Sequence, residues 1–347
     1  MSLVDFLWLW IFVPLIFLSV GVSRRVFHHW FTPLSVFIGV NSISLSLYHL
    51  RLLEMTDVSA VTHAVILSSF GMFFLGVLLA AKPIEVSALK GDRARIDGRH
   101  LSSFFYMTAV LAAIGWMVQL SMFVMTHGVG ALLGNIWMLQ DKFQMQFIGY
   151  LNLIGILVLP AYVLKRVMGT ARKVDILIVL ATVFGLVLTG VKGYLIYSVF
   201  AALFTWSVAR PSGFRMIHLA GGMFVMLGFF IVYSAKIDIF SVDFYGGSQT
   251  LGKLAVLKRP YLYFVGSWPA LEFIVNGTVN DLPRFGFVVL EPIWKLLGGL
   301  GLTEIIVKAH RQYVVIGKTT FNVFSLIGEV YWDVKWPGLL VVSWLLG

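Results

Sequence analysis

Cysteine is absent from this chain, which removes disulfides, thiol chemistry and every cysteine-based metal site. The missing thiols leave the redox compartment open. Charge is scarce too: only 12% of the 347 residues are Asp, Glu, Lys or Arg, against ~25% in an ordinary soluble domain. Too little polar surface remains to cover a globule of this size, so a soluble enzyme and a disordered protein are both excluded. Nucleotide-binding signatures are missing as well. No GxxxxGK[ST] run occurs, and no GxGxxG opens a helix after a strand. Gly298-Gly299-Leu300-Gly301 reads as a break between helices. With no HExxH, no His-x-His pair and no dense acidic cluster, neither a metal nor a cofactor is expected.

What the chain has in quantity is apolar surface: 59% hydrophobic residues, 15% aromatics and a mean hydropathy of +0.91. A helix needs about 20 apolar residues to cross a hydrocarbon core. Eight stretches meet this, at about 6–23, 31–50, 59–81, 102–126, 147–164, 174–190, 194–209 and 216–233. The expected fold is therefore an all-α polytopic bundle, read as one transmembrane domain over residues 1–347.

The net charge of +10 is read against a bilayer rather than nucleic acid. Four alternate loops hold thirteen Lys/Arg, including Arg24-Arg25, Lys82 to Arg99, Lys165 to Lys173, and Arg210 with Arg215. The three short loops on the other side hold only Arg51, Lys142 and Lys192. The positive-inside rule then places the basic loops in the cytoplasm and the N-terminus outside. Asp5 ahead of the first span agrees, and the lack of a basic n-region makes residues 1–23 a retained helix rather than a signal peptide.

Residues 234–335 form one long extracytoplasmic loop carrying ten of the 26 Lys/Arg. Long translocated loops are exempt from the charge rule. Tyr261–Val275 and Phe285–Leu297 are apolar and aromatic, so they read as short helices at the interface or packed back on the bundle. After Pro337 ten residues remain, about 15 Å of helix at 1.5 Å per residue. That favours an incomplete C-terminal span over 336–347, a broken or re-entrant segment over 321–347 being the alternative.

The informative side chains are the outer cations. Lys192 sits in the tight turn Leu188-Thr-Gly-Val-Lys-Gly-Tyr194, at the outer boundary of the bilayer. It is either a snorkelling lysine or an anion clamp. Lys258-Arg259, Arg284 and His310-Arg311 follow along the apolar loop. Cations so placed suit a lipid bearing phosphate or pyrophosphate, which Arg binds bidentately and Lys as a point charge. General attraction to anionic headgroups is the plainer alternative. Acids lie near them in sequence: Glu272, Asp281, Glu291, Glu329 and Asp333. Glu329 and Asp333 are four apart, so a helix puts them on one face amid Phe324, Val330, Tyr331 and Trp332. Burial in such surroundings suits a general base, and a structural ion pair is the alternative. His28-His29 beside Arg24-Arg25 reads as a solvated basic patch.

In this order the residues resemble the bacterial oligosaccharide repeat-unit polymerases, the O-antigen polymerase (Wzy-like) family. The resemblance rests on the Leu188–Ile196 turn, Tyr261–Glu272, Phe285-Gly286 and Glu291-Pro292. It is strongest over Phe321-Asn-Val-Phe-Ser325, running into Glu329-Val-Tyr-Trp-Asp333 and Pro337-Gly338. It covers roughly the C-terminal half. Lys192 stands where the family has Arg, Ser325 where it has Thr, and Val334-Lys335 where Phe-Gly follows the acid. The family continues through further spans past the position of Gly347, so the resemblance also raises truncation.

The resemblance implies a GT-C-like helical fold at the outer face of the bacterial inner membrane. It implies transfer of a growing glycan from undecaprenyl pyrophosphate to a hydroxyl of the incoming repeat unit, with no nucleotide sugar or metal. Membrane lipids, a chain-length regulator and a flippase are the implied partners. Lys192, Arg259, Arg284 and Arg311 would neutralise the pyrophosphate, and Glu272, Glu291, His310 or Asp333 would take the hydroxyl proton. An O-antigen ligase, a transporter or flippase of lipid-linked sugars, and a non-catalytic scaffold are the rival expectations.

Overall fold

A computed structural model describes residues 2–80, 98–130, 148–188, 192–209, 215, 217–224, 226–228, 258–279, 286, 290, 293–294, 297–298, 301–302, 314–316, 319–321 and 325–347. The chain is mostly helical, and two compact units are described. Met1–Glu85 and Leu227–Gly347 make the first, and Val86–Met226 the second.

In the first unit, helix α1 (Leu3–Phe27) starts at a capping box, in which the Ser2 hydroxyl accepts from the Asp5 N–H and the Asp5 carboxylate accepts from Ser2. A π-helical turn (Ser35–Val40) leads into α2 (Asn41–His49), and α3 (Ala60–Ala80) follows. Beyond Leu227 come α9 (Lys258–Val265), α10 (Ser267–Val275), a hairpin of β1 (Val314–Ile316) with antiparallel β2 (Thr319–Phe321), and α11 (Leu326–Leu346). The second unit holds α4 (Gly98–His127), α5 (Ile148–Ile154), a 3-10 turn (Gly155–Leu157), α6 (Val158–Val167), α7 (Lys173–Leu188) and α8 (Lys192–Ala209).

Each of the eight apolar stretches is thus mainly helical over its described residues. Three helices, Leu3–Phe27, Ala60–Ala80 and Gly98–His127, are long and apolar enough to cross a membrane.

The α9–α10 segment does not stand off as a loop. Val265, Trp268 and Leu271 enter the buried core with Phe12, Leu34, Leu45, Tyr48, Val65, Ile66 and Phe70. Polar side chains lock it there: the Trp268 indole donates to the Ser44 hydroxyl at 2.7 Å, Ser44 donates to the Phe264 carbonyl, and the Tyr261 phenol donates to the Leu47 carbonyl at 2.7 Å. Burial pushes the Tyr261 phenol up to about 12, so it remains a donor at every physiological pH.

The C-terminal segment is helical on both sides of a break. A helix begins at Leu326, ten residues before the half-span anticipated at 336, and it breaks at Lys335. Lys335 takes a left-handed φ of 55°, and Pro337 supplies no N–H to the helix. At this kink Gly338 lies so close to the preceding turn that a Cβ on it would be 2.4 Å from the Val334 side chain.

Packing of α11 on α3 follows the rule for apolar surroundings, where close backbone approach and polar pairs replace hydrophobic driving force. Ser69 and Ser343 share a hydrogen bond at 2.7 Å, and Trp336 donates to Ser68 at 3.0 Å. A Cβ on Gly76 would meet the Trp344 carbonyl oxygen at 2.1 Å. Gly76→Val is accordingly expected to force the helices apart at a cost of about 1–3 kcal/mol, read as a lowered unfolding midpoint in detergent. An unchanged midpoint would contradict this packing.

Candidate functional site

Three helix ends meet in the first unit: the start of α1, the end of α2 and the start of α3. Each brings one titratable side chain into a space closed to solvent. Asp5 is 4% exposed, His49 2% and His63 0%. His49 Nδ1 lies 3.0 Å from Asp5 Oδ1, and His49 Nε2 lies 3.1 Å from His63 Nε2. His63 Nδ1 lies 2.8 Å from the Ser59 carbonyl, one turn back on its own helix. The result is an unbroken string, Asp5–His49–His63–Ser59. Trp8 stacks on the His63 ring at a centroid distance of 3.8 Å, and Phe12 stacks on both imidazoles.

Arg51 anchors the other side of Asp5. Its Nε donates to Asp5 Oδ1 at 2.9 Å and its Nη2 to Asp57 at 2.6 Å, while the guanidinium covers the Tyr48 ring. Burial pulls the Arg51 pKa down, but Tyr48, Asp5 and Asp57 more than compensate, so it titrates above its ordinary value. Asp57 is 88% exposed and marks the solvent edge of the cluster.

Glu272 closes the cluster from α10. One carboxylate oxygen accepts from the Ser59 N–H at 2.8 Å and from the Thr62 hydroxyl at 2.6 Å. It therefore caps the start of α3, where a carboxylate is favoured by the unpaired backbone N–H groups. This is a docking role for a residue expected as a candidate base. Asp333 lies on α11, is buried, and shares that helix with Glu329 as the four-residue spacing anticipated. Its neighbour Trp332 packs with Ala270 and Ile274 of α10 and with Val314 and Ile316 of β1. Glu272 and Asp333 thus belong to two helices in mutual contact.

The remaining anticipated residues are not brought together by what is described. Lys192 opens α8 in the second unit and Arg259 lies in the first turn of α9, where only the backbone is described. Arg284, Glu291, His310 and Arg311 lie outside the described residues.

A second buried polar group occupies the other unit. Lys165 Nζ of α6 meets Asp175 Oδ2 of α7 at 2.8 Å, with side-chain exposures of 1% and 0%. Asp175 also accepts from the Tyr106 hydroxyl at 2.7 Å and the Arg172 N–H at 2.9 Å. The ammonium sits 4.5 Å from the Phe105 and Tyr106 ring centroids. Every partner is satisfied, which suits a structural pin. Beside α4 and α7 lies an apolar cavity of about 420 Å³, lined by Ala113, Trp116, Met117, Ile178 and Phe184 among others.

Sequence reasoning missed the histidine string. Asp5 and Arg51 entered only as topology markers, and His49 and His63 did not enter at all. The signal was available: ionisable residues inside apolar segments mark functional positions by default. Among the described residues, no group of three or more His or carboxylate side chains is arranged to hold a metal ion. No family model, curated protein or solved structure matches this chain.

Proposed function

We propose that this protein is a membrane-embedded glycosyltransferase that polymerises undecaprenyl-pyrophosphate-linked oligosaccharides at the outer face of the bacterial inner membrane. In this reading all eight apolar segments span the bilayer in a GT-C-like arrangement. The observation that carries it is the buried carboxylate of Asp333, in the motif of strongest family resemblance and on a helix packed against the one bearing Glu272. Asp333 takes the proton of the acceptor hydroxyl as the sugar C–O bond to pyrophosphate breaks. Lys192, Arg259, Arg284 and Arg311 stabilise the charge that develops on the leaving group, and fixed cations do so best where water is scarce. Glu272 is assigned a positioning role, holding α10 to α3.

The experiment is complementation of a bacterial strain that lacks its own repeat-unit polymerase but retains ligase and flippase. The expected product is a ladder of long glycan chains. Single-repeat products alone would overturn the polymerase assignment. A second reading, proton-coupled movement of lipid-linked sugars, is favoured by the Asp5–His49–His63 string, since chains of acids and histidines serve as proton paths in transporters. It predicts outward passage of the lipid-linked repeat unit in a flippase-deficient strain, with no change in chain length.

A further inference from the structure

Two imidazoles that meet nitrogen to nitrogen out of water must share a proton, because two facing lone pairs repel and nothing else relieves them. The donors and acceptors of the string follow from this. The Ser59 carbonyl only accepts, so His63 Nδ1 carries a hydrogen. The His49–His63 contact at 3.1 Å requires one hydrogen between the two Nε2 atoms, and the His49–Asp5 contact at 3.0 Å requires another. Three contacts hold three protons. A carboxylate with two neutral imidazoles brings only two. Making all three contacts at once takes one proton beyond the neutral-ring, ionised-carboxylate form.

The surroundings favour that extra positive charge. Asp5, Asp57 and Glu272 are the acids around the string and Arg51 is the cation, so the additional proton offsets part of a negative excess. Tyr48 of α2 lies beside Arg51 and stays uncharged, and Glu272 of α10 faces the His63 end through Ser59 and Thr62. Asp5 Oδ2 accepts from the Ser2 N–H and hydroxyl, and Ser2 is exposed.

We propose that Asp5, His49 and His63 form a proton-binding site that works as a short wire. With every heavy atom fixed, the additional proton has three stations: the Asp5 carboxyl, the His49 ring or the His63 ring. Moving between the stations carries positive charge from the Ser2 surface to the His63 ring beneath Trp8. No bond between heavy atoms is made or broken, and the only species exchanged is a proton taken from water at the Ser2 end. The site is independent of the glycosyl-transfer reading and stands or falls separately from it.

The test uses the full-length protein in lipid nanodiscs with 15N-labelled histidine. His49→Gln and His63→Gln assign the signals. The wild type is expected to show through-hydrogen-bond coupling between the two Nε2 nuclei near neutral pH. As pH rises the third proton leaves, the coupling disappears, and a pH-stat records one proton released per chain from the string. In Asp5→Asn the oxygen facing Arg51 Nε and His49 Nδ1 no longer carries charge, so the third proton leaves and the coupling disappears at a lower pH than in the wild type. Absence of coupling in the wild type between about pH 5 and 8, or loss of coupling at the same pH in wild type and Asp5→Asn, would overturn the proposal.

Discussion

Lys165→Met is expected to destabilise the second unit by about 3–5 kcal/mol, the usual consequence of leaving one member of a buried ion pair without its partner. Asp175 is fully enclosed, and the methionine offers it neither charge nor a donor. The Tyr106 hydroxyl and Arg172 N–H remain but do not cancel the charge. The same loss follows for Asp175→Ala, which strands the ammonium between the Phe105 and Tyr106 rings. The double replacement Lys165→Met with Asp175→Asn restores most of the loss, because no net charge is then buried and Asn still accepts from Tyr106. Unfolding of purified single and double variants in detergent measures this coupling. Additive losses in the double variant would show that the two side chains do not act as a pair.

Asp333→Asn is expected to abolish chains longer than one repeat unit while leaving the unfolding midpoint near that of the wild type. Removing a general base lowers rate by about 10²–10⁴-fold, enough to erase a polymer ladder. The asparagine is nearly isosteric, so the packing of Trp332 against Ala270, Ile274, Val314 and Ile316 is retained. Glu329→Gln, one turn earlier and only partly buried, serves as the comparison and keeps the ladder. A normal ladder from Asp333→Asn, with the variant present in the membrane, would move the base elsewhere.

Hydropathy pointed to the mostly helical chain and to the three long apolar helices, because runs of apolar residues are local features of a chain. The density of Trp, Tyr and Phe in Tyr261–Val275 left a place at the interface and a return onto the bundle equally open, and its packing on the core decides for the second. The polar centres were not legible. Asp5 and His49 are 44 residues apart and His49 and His63 are 14 apart, and each lies on a different helix, so no periodicity within one helix pairs them. Only the antiparallel return of α1, α2 and α3 brings them together.

Lys165 shows the same blindness from another side. Read along the chain it belongs to a basic cytoplasmic loop, yet the helix carries it inward to Asp175, ten residues on. The break at Lys335 hides for a different reason. Pro337 signals a disturbed helix, but the left-handed turn sits two residues earlier, and the approach of Gly338 to Val334 needs both.

Glycosyl transfer at the outer face, as proposed, requires the candidate site of the first unit to open to the extracytoplasmic side. The absence of cysteine makes this directly measurable, because any introduced thiol is the only one present. Asp57→Cys, at the exposed edge of the Arg51 cluster, and Met168→Cys, after α6, are treated in intact cells with a membrane-impermeant maleimide. Asp57→Cys is expected to be labelled at once and Met168→Cys only after the membrane is permeabilised. Labelling of Met168→Cys in intact cells, with Asp57→Cys protected, would contradict that placement.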